Sequence, residues 1–181
     1  MEKNLTRLLL GLVSLVASIV AFYIGSLWIE TRSAFNKLKR EMIVDRNVYE
    51  PEAFIGNVLF EKNKTASMKP ADFLARNALD PTEKHYMRYQ LERQFLTRRL
   101  SFEFSEDQLL ISWLSTVYLG EGEYGLALAS KSLFNKEISE LSKQNSIAIA
   151  ALIVSPSVRN NTNRWEMKQA QLWKKLSTEI Q

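Results

Sequence analysis

The chain of 181 residues has no cysteine and a single histidine. Without cysteine there is no disulfide framework, no zinc–cysteine site and no thiol nucleophile, and an oxidising compartment is neither required nor excluded. One histidine, His85, argues against a multi-histidine metal site, and we expect it to be a partly exposed helix residue. Phosphate-binding glycine loops, EF-hand loops and the G-x-S-x-G elbow are also missing from the sequence. These absences argue against nucleotide enzymes and serine hydrolases.

Strand-like alternation of apolar and polar residues is missing over any sizeable length, and so is an internal repeat. Apolar residues recur at helical spacing instead, as in Ala34, Leu38 and Met42. Pro81 and Thr82 suit the start of a helix that runs to about residue 104. A final amphipathic helix is predicted from the spacing of Trp165, Leu172, Trp173 and Leu176. The sequence therefore predicts an all-α fold.

A charge-free apolar run covers residues 8–29, which is 22 residues. As a helix, this run spans roughly 30 Å, the thickness of a bilayer's hydrocarbon core. Tyr23 and Trp28 near its far end suit an interfacial aromatic belt. A cleaved signal peptide is the alternative, with Lys3 and Arg7 as its basic start, but the run is long and no A-x-A cleavage site closes it. We predict a transmembrane anchor.

Residues 105–136 have the pattern of a helix, a glycine-rich turn and a second helix. Ser105 is a suitable N-cap, and apolar residues then recur on one helical face. Gly120, Gly122 and Gly125 interrupt that pattern, which indicates backbone angles or close approaches that a side chain would forbid. A second buried helix follows. The sequence from Trp113 to Gly125 is W-L-S-T-V-Y-L-G-E-G-E-Y-G.

This segment resembles the pattern Y-L-N-x-x-Y-x-G-x-G-x-Y-G of the family 51 glycosyltransferases. They are the peptidoglycan glycosyltransferase domains of bifunctional penicillin-binding proteins and of monofunctional murein polymerases. The match continues without a gap through Ala129, Leu133-Phe134, Lys136, Leu141-Ser142, Ala150, Leu152 and Pro156-Ser157. Roughly fifty residues in register make the resemblance specific. Two positions depart from it: Ser115 stands where the family has Asn, and Asn145 where it has Glu.

The resemblance implies a lysozyme-like helical domain that polymerises glycan. In that reaction the 4-hydroxyl of a lipid-linked disaccharide attacks the anomeric carbon of a growing chain, and polyprenyl pyrophosphate leaves. The implied partners are a lipid-linked disaccharide or glycan chain, the cytoplasmic membrane and other wall-synthesis proteins, with no nucleic acid. No cofactor is evident from the residues, and a divalent metal enters only by analogy with the family.

The membrane orientation implied by the resemblance conflicts with the charge count. A murein polymerase domain works on the outer face of the bacterial cytoplasmic membrane. Two basic residues precede the apolar run and four follow it, which favours a cytoplasmic domain: Lys3 and Arg7, then Arg32, Lys37, Lys39 and Arg40. We follow the resemblance, because basic residues beyond the membrane can also bind lipid headgroups. The predicted division is a short segment 1–7, the anchor 8–29, a connector 30–69 and the glycosyltransferase-like domain 70–181.

Two family motifs are missing from the connector. One is E-D-x-x-F-x-x-H-x-G, whose Glu is taken as the general base, and the other is G-G-S-T-I-T-Q-Q, which lines the donor site. The nearest candidates are Glu41 for the first and residues 66–69 for the second. Leu74 and Asn77 do match the L-x-K-N that follows the second motif. Glu41 is therefore one candidate base, beside the simpler interpretation of a solvated carboxylate near the membrane.

A third family motif, R-K-x-x-E, provides the other candidates. Counting forward from Asn77 places Arg88 and Glu92 on its Arg and Glu, whereas counting back from Gly120 places Arg93 on the Glu. Glu92 is thus the second candidate base, or else an ordinary helix Glu paired with an Arg. By resemblance, the substrate-binding candidates are Arg88, Arg93, Tyr124 and Lys136.

Two functions remain open. The chain is either a divergent glycosyltransferase with weak catalysis that uses Glu41 or Glu92, or a pseudoenzyme that serves as a scaffold or regulator of envelope synthesis. Geometry separates them: catalysis needs one of these carboxylates to face a cleft, and we expect Arg88, Arg93 and Tyr124 to line it.

Overall fold

The computed structural model describes residues 2–60, 68–82 and 85–179, and all regular structure in those ranges is helical. It forms eight α-helices: α1 Glu2–Glu41, α2 Glu50–Phe60, α3 Met68–Ala78, α4 Tyr86–Glu103, α5 Glu106–Leu114, α6 Leu126–Phe134, α7 Lys143–Val154 and α8 Thr162–Glu179. Two short 3₁₀ helices, Ile138–Glu140 and Pro156–Asn160, precede and follow α7. The all-α prediction is confirmed.

Helix α1 is a single continuous helix of 40 residues that changes character along its length. Residues 10–25 are exposed, and the helix is long and apolar enough there to cross a membrane. From Leu27 onward a buried stripe appears at helical spacing and continues through Thr31, Phe35, Leu38 and, just past the helix end, Met42. The same helix is therefore exposed over residues 10–25 and part of the folded domain from Leu27 onward.

The core gathers around α5 and α7. Residues 147–152 of α7 are all buried, as expected for a helix that is apolar almost all round. Helix α2 packs on one side of α7 and α8 on another, and α3 packs against α4. The final helix is fixed to the core by Trp165, whose indole Nε1 donates a hydrogen bond to the Ala148 carbonyl at 2.8 Å. The predicted final amphipathic helix is therefore present, and it packs on the domain.

The glycine turn, residues 119–125, joins the two helices of the family-like segment. Gly120 and Gly125 have φ values of +92° and +88°, which residues with a side chain rarely adopt. A Cβ atom at Gly120 would lie 2.7 Å from the Pro156 carbonyl oxygen, and one at Gly125 would lie 2.5 Å from the Ser115 carbonyl oxygen. Both reasons predicted for these glycines, unusual backbone angles and close approach, are thus found.

The N-terminal boundary of α4 differs from the prediction. The helix begins at Tyr86 rather than at Pro81. The Asp80 carboxylate accepts hydrogen bonds from the backbone N–H and hydroxyl of Thr82, so it stabilises a turn there instead of capping a helix. His85 is exposed at the position just before α4. Residues 66–69 are the nearest candidate for the G-G-S-T-I-T-Q-Q motif, and residues 66 and 67 of that segment lie outside the described ranges.

Candidate functional site

A cavity of about 160 Å³ with polar and apolar lining residues opens between the end of α1, α3 and α5. Helix α1 contributes its last turns, α3 its C-terminal turn, and α5 the residues around its C-terminal end. The lining residues are Lys37, Leu38, Glu41, Met42, Leu74, Asn77, Ala78, Ser112 and Thr116. Three segments distant in sequence therefore meet at this cavity.

The position of Glu41 is determined by the packing of α1. Leu38 and Met42 flank it in sequence and are buried against the core, so the last turn of α1 has one face inward and Glu41 at the open side. Just beyond the helix, the Ser112 hydroxyl accepts a hydrogen bond of 2.9 Å from the Ile43 backbone N–H. Ser112 is itself 3% exposed, so this bond fastens the end of α1 to α5.

Glu41 is the sole carboxylate among the lining residues, and Lys37 lies one helical turn before it. An ionised carboxylate with access to a cavity can accept a proton from a bound hydroxyl, and a nearby ammonium group can stabilise a negative charge. Asn77 and Thr116 complete the polar lining. The Thr116 hydroxyl donates to the Trp113 carbonyl at 3.0 Å, so its oxygen keeps acceptor capacity towards the cavity.

Glu92, the other candidate base, is placed differently. It is 1% exposed, and Arg88 Nε lies 3.4 Å from its Oε1 atom. The Arg88 guanidinium also donates two hydrogen bonds to Glu30 of α1. Glu92 is not among the residues that line the cavity, and its neighbour Arg88 is already engaged with a second carboxylate. This placement fits the interpretation of Glu92 as a helix Glu paired with an Arg.

Arg93 points to α3 instead of α1. Its Nε atom lies 3.4 Å from Oδ1 of Asp72, and the side chain is half-buried. Adjacent residues of α4 therefore have different ion-pair partners. Glu92 pairs with Arg88 of the same helix, whereas Arg93 pairs with Asp72 of α3. The two motif counts, which disagreed by one residue, lead to two ion-paired side chains.

The remaining substrate-binding candidates lie at the glycine turn and at α6. Tyr124 is 61% exposed, and its ring lies 5.0 Å from that of Tyr118 between centroids. Lys136 is half-buried, with Nζ 3.3 Å from Oδ1 of Asn145. Neither residue lines the Glu41 cavity, and neither do Arg88 and Arg93. The expected cleft that combines a candidate base with Arg88, Arg93 and Tyr124 is therefore absent from the cavity that Glu41 lines.

The two departures from the family pattern have clear local roles. Asn145 completes a capping box at the start of α7, since its Oδ1 atom accepts from the Ser142 backbone N–H at 3.2 Å while Ser142 Oγ accepts from the Asn145 N–H. The Ser115 hydroxyl donates to the Ser112 carbonyl at 2.7 Å. Both residues satisfy backbone groups at helix ends.

Three polar residues of the cavity lining carry no functional signal in the sequence: Lys37, Ser112 and Thr116. Lys37 appeared only in the count of basic residues after the membrane run, and the small hydroxyl residues carry no distinctive spacing. In the described ranges no group of three His, Cys, Asp or Glu side chains lies close enough to hold a metal ion. The donor set beside Glu41 therefore does not fit a divalent ion bound by several carboxylates.

The similarity of this chain to known proteins includes the glycine turn and the helices on both sides of it. The family model described as transglycosylase matches residues 71–177. Penicillin-binding protein 1A of Rickettsia bellii is 31% identical over 106 residues, 59% of this chain and 13% of that protein. The Mycobacterium tuberculosis protein of that name is 31% identical over 125 residues, and the Neisseria flavescens one 27% over 121, each alignment covering 15% of the relative. The chain thus spans a small part of these relatives.

Proposed function

The chain belongs to the transglycosylase family, and from that we propose that it is a membrane-anchored protein that binds lipid-linked disaccharide at the Glu41 cavity and polymerises it weakly. The all-α, lysozyme-like fold expected from the resemblance is the fold of this family. Peptidoglycan glycosyltransferase is the activity that family membership supports. Beyond family membership, we propose the substrate, the face of the membrane on which the domain lies, and the low level of catalytic activity.

The observation that carries the proposal is the placement of Glu41 on the wall of a cavity beside Lys37. In the proposed step the Glu41 carboxylate takes the proton of the 4-hydroxyl as that oxygen bonds to the anomeric carbon. The bond from the anomeric carbon to the pyrophosphate oxygen breaks, and polyprenyl pyrophosphate leaves with the electron pair. Lys37 stabilises negative charge close to the reacting groups.

Weak catalysis is proposed on two grounds. The cavity of about 160 Å³ is small beside the ~300–1,000 Å³ that ligand pockets usually have, so it can hold one sugar ring rather than a whole disaccharide. The two arginines among the substrate-binding candidates are engaged elsewhere, Arg88 with Glu30 and Arg93 with Asp72. A site that holds only part of its substrate positions the reacting atoms poorly.

A pseudoenzyme that acts as scaffold or regulator of envelope synthesis is the second candidate. It is favoured by the pairing of Glu92 with Arg88 and by the absence of the two N-terminal motifs from the sequence. Under this alternative the family core is retained for its packing and for binding to lipid-linked glycan. Both candidates place the domain on the outer face of the cytoplasmic membrane, and the division into segments 1–7, 8–29, 30–69 and 70–181 stays a prediction.

The deciding experiment is polymerisation of labelled lipid-linked disaccharide by the purified full-length protein in detergent. Wild type is compared with Glu41→Gln, Glu92→Gln and, as a matched control, Glu166→Gln, which removes an exposed carboxylate on α8. We expect a small amount of glycan product from wild type and the control, and none from Glu41→Gln. Product that survives Glu41→Gln would overturn the assignment of the base.

Binding is measured in the same samples, by retention of the labelled lipid. Lipid retained by every variant without glycan product from wild type would support the pseudoenzyme. Loss of product in Glu92→Gln is interpreted only beside its thermal unfolding, because removal of a buried charge can destabilise the fold. A Glu92→Gln protein that is as stable as wild type but inactive would indicate that the general base is Glu92 and not Glu41.

A further inference from the structure

Ser112 of α5 carries a buried hydroxyl group that borders the Glu41 cavity. The residue is 3% exposed, and its neighbours Ile111 and Trp113 are buried in the core. Ser112 and Thr116, four residues apart, both line the cavity. Ser112 therefore presents the cavity with a polar group that has little other access to solvent.

The oxygen atom of this hydroxyl group has a structural role. It accepts a hydrogen bond of 2.9 Å from the backbone N–H of Ile43, two residues beyond Glu41. A serine hydroxyl has one proton to donate and two lone pairs with which to accept. The bond from Ile43 uses one lone pair and holds the oxygen in place, and it leaves the proton unused.

The proton has no acceptor in the part of the chain that the structure describes. Buried Ser146, by contrast, donates to the carbonyl of Ser142, four residues earlier, at 3.0 Å. The Ser112 hydroxyl donates neither to the carbonyl at the equivalent position, that of Gln108, nor to any other described group. Buried donors are nearly always paired, because an unpaired one loses its hydrogen bond to water without a replacement. The cavity wall thus contains a buried donor that lacks a protein partner.

This donor differs from the other polar groups of the cavity lining. The polar side chains that are exposed on this wall are Lys37, Glu41, Asn77 and Thr116. Exposed side chains can exchange their hydrogen bonds with water, whereas the Ser112 oxygen is held by a backbone group. A donor fixed in this way is preorganised, so little conformational freedom is lost when a ligand binds to it.

We propose that Ser112 is a ligand-binding residue of the cavity, and that its hydroxyl donates a hydrogen bond to an oxygen atom of the bound sugar ring. Sugars suit this donor, since each ring carries several hydroxyl and ether oxygens that can accept. The inference rests on the proposed function for the identity of the ligand, and it does not depend on Glu41 as the base. The same hydroxyl then links the ligand to the segment that follows Glu41, since its oxygen stays bonded to Ile43.

This contact is expected to act on affinity. It is available to the substrate before and during any reaction, so its loss weakens the binding of substrate and transition state alike. Loss of the Glu41 carboxylate, under the proposed function, removes the glycan product and leaves the affinity nearly unchanged. The two residues therefore have opposite expected effects on binding and on product formation.

The test is the dissociation constant of the labelled lipid-linked disaccharide for the purified full-length protein in detergent. Ser112→Ala removes the hydroxyl, and Ser112→Thr retains one. Ser146→Ala is the matched control, because Ser146 is also a buried helix serine and lies outside the lining of the Glu41 cavity. Each variant is also measured together with Glu41→Gln, so that turnover does not consume the ligand.

We expect Ser112→Ala to weaken binding by about three- to tenfold, with or without Glu41→Gln. Ser112→Thr and Ser146→Ala should bind within about twofold of wild type, since neither removes a donor from the cavity. Unchanged affinity in Ser112→Ala would overturn the proposal and leave water as the acceptor of the proton. An equal loss in Ser146→Ala would overturn it as well, because it would reveal a general effect of destabilisation. Ser112→Cys, whose thiol is a weak donor, replaces Ser112→Ala if that variant does not fold.

The same measurements separate this inference from the proposed function. Affinity lost in Ser112→Ala, while Glu41→Gln still makes glycan, would exclude Glu41 as the base and keep Ser112 as a binding residue. Unchanged affinity in Ser112→Ala, together with an inactive Glu41→Gln, would do the reverse. A wild-type protein that retains no lipid-linked disaccharide would overturn both.

Discussion

The glycine turn and the Glu41 cavity both adjoin residues 112–116, yet they are built in different ways. The turn is filled: the carbonyl of Ser115 approaches Gly125 closely, and Arg159 pairs with Glu121 and Glu123 across it. The cavity is an opening whose polar groups face a space of about 160 Å³. Packing requirements thus fix the residues of the turn, whereas Glu41 lies exposed on the open side of the cavity, where packing does not fix the side chain.

This contrast explains why the family is so evident while the chemistry is not. A turn that tolerates no Cβ atom limits its sequence strongly, and the same limit applies to any member that keeps the fold. A carboxylate on a cavity wall can be moved or lost without cost to folding. The family match, residues 71–177, accordingly covers the turn and leaves Glu41 outside it.

The largest expected effect tests how tightly the turn is filled. Gly125→Ala should lower the free energy of unfolding by roughly 2–6 kcal/mol, since a strained positive φ and a steric overlap each cost about 1–3 kcal/mol. Gly122→Ala is the matched control, because Gly122 also has a positive φ of +77° but no atom within 4 Å of its added Cβ. It should lose only about 1–2 kcal/mol. Equal losses, measured by thermal unfolding in detergent, would show that close approach to Ser115 is unimportant.

The next prediction compares the two carboxylates. Glu92→Gln should cost roughly 2–3 kcal/mol, because a buried charge is lost from its ion pair while Arg88 keeps Glu30. Glu41→Gln should change the stability by less than about 0.5 kcal/mol, as expected for an exposed side chain. Chemical denaturation of both variants provides the measurement. A large loss in Glu41→Gln would mean that this carboxylate is a structural group, and the proposed base would then lose its main support.

The sequence was informative where one local requirement determines structure. Glycines with positive φ, the Ser105 N-cap and the helical spacing of Leu38 and Met42 were all predictable, since each depends on neighbours a few residues away. The cavity was not predictable, because it forms only when three distant segments meet. Motif counting left Glu92 and Arg93 as alternatives, and the packing of α4 between α1 and α3 shows where each points.

The third prediction concerns the pH dependence of the turn. Arg159 Nη1 lies 2.8 Å from Oε2 of Glu123, and this hydrogen bond, helped by one from Ser132, holds the pKa of Glu123 below its ordinary value of 4.5. A carboxyl with a lowered folded-state pKa contributes stability above its unfolded-state pKa and loses it as the pH falls through the folded-state value. We expect wild type to lose about 1 kcal/mol more than Glu123→Gln as the pH falls below about 4.5, after allowance for partial exposure.

That difference is measured by chemical denaturation of wild type and Glu123→Gln across the acidic range. Glu137→Gln is a suitable control, since Glu137 is an exposed partner of Lys131 away from the turn. Parallel pH profiles for wild type and Glu123→Gln would indicate that Arg159 holds the turn through its other contacts, the ion pair with Glu121 and the hydrogen bond that it donates to the Gly120 carbonyl.

The smallest expected effect comes from replacing Asn145 with the Glu that the family pattern has at this position. Asn145→Glu should raise the stability by roughly 0.5–1 kcal/mol, because a Glu can keep the capping-box hydrogen bond that Asn145 makes and adds a charge that suits the positive end of the helix dipole and pairs with Lys136. Asn145→Gln keeps the reach of that side chain without the charge, so the difference between the two variants measures the electrostatic part. High salt should shrink that difference. If Asn145→Glu stabilises the protein and leaves glycan synthesis unchanged, then residue 145, like the glycine turn, contributes to the fold through helix capping and does not contribute to the chemistry of the cavity.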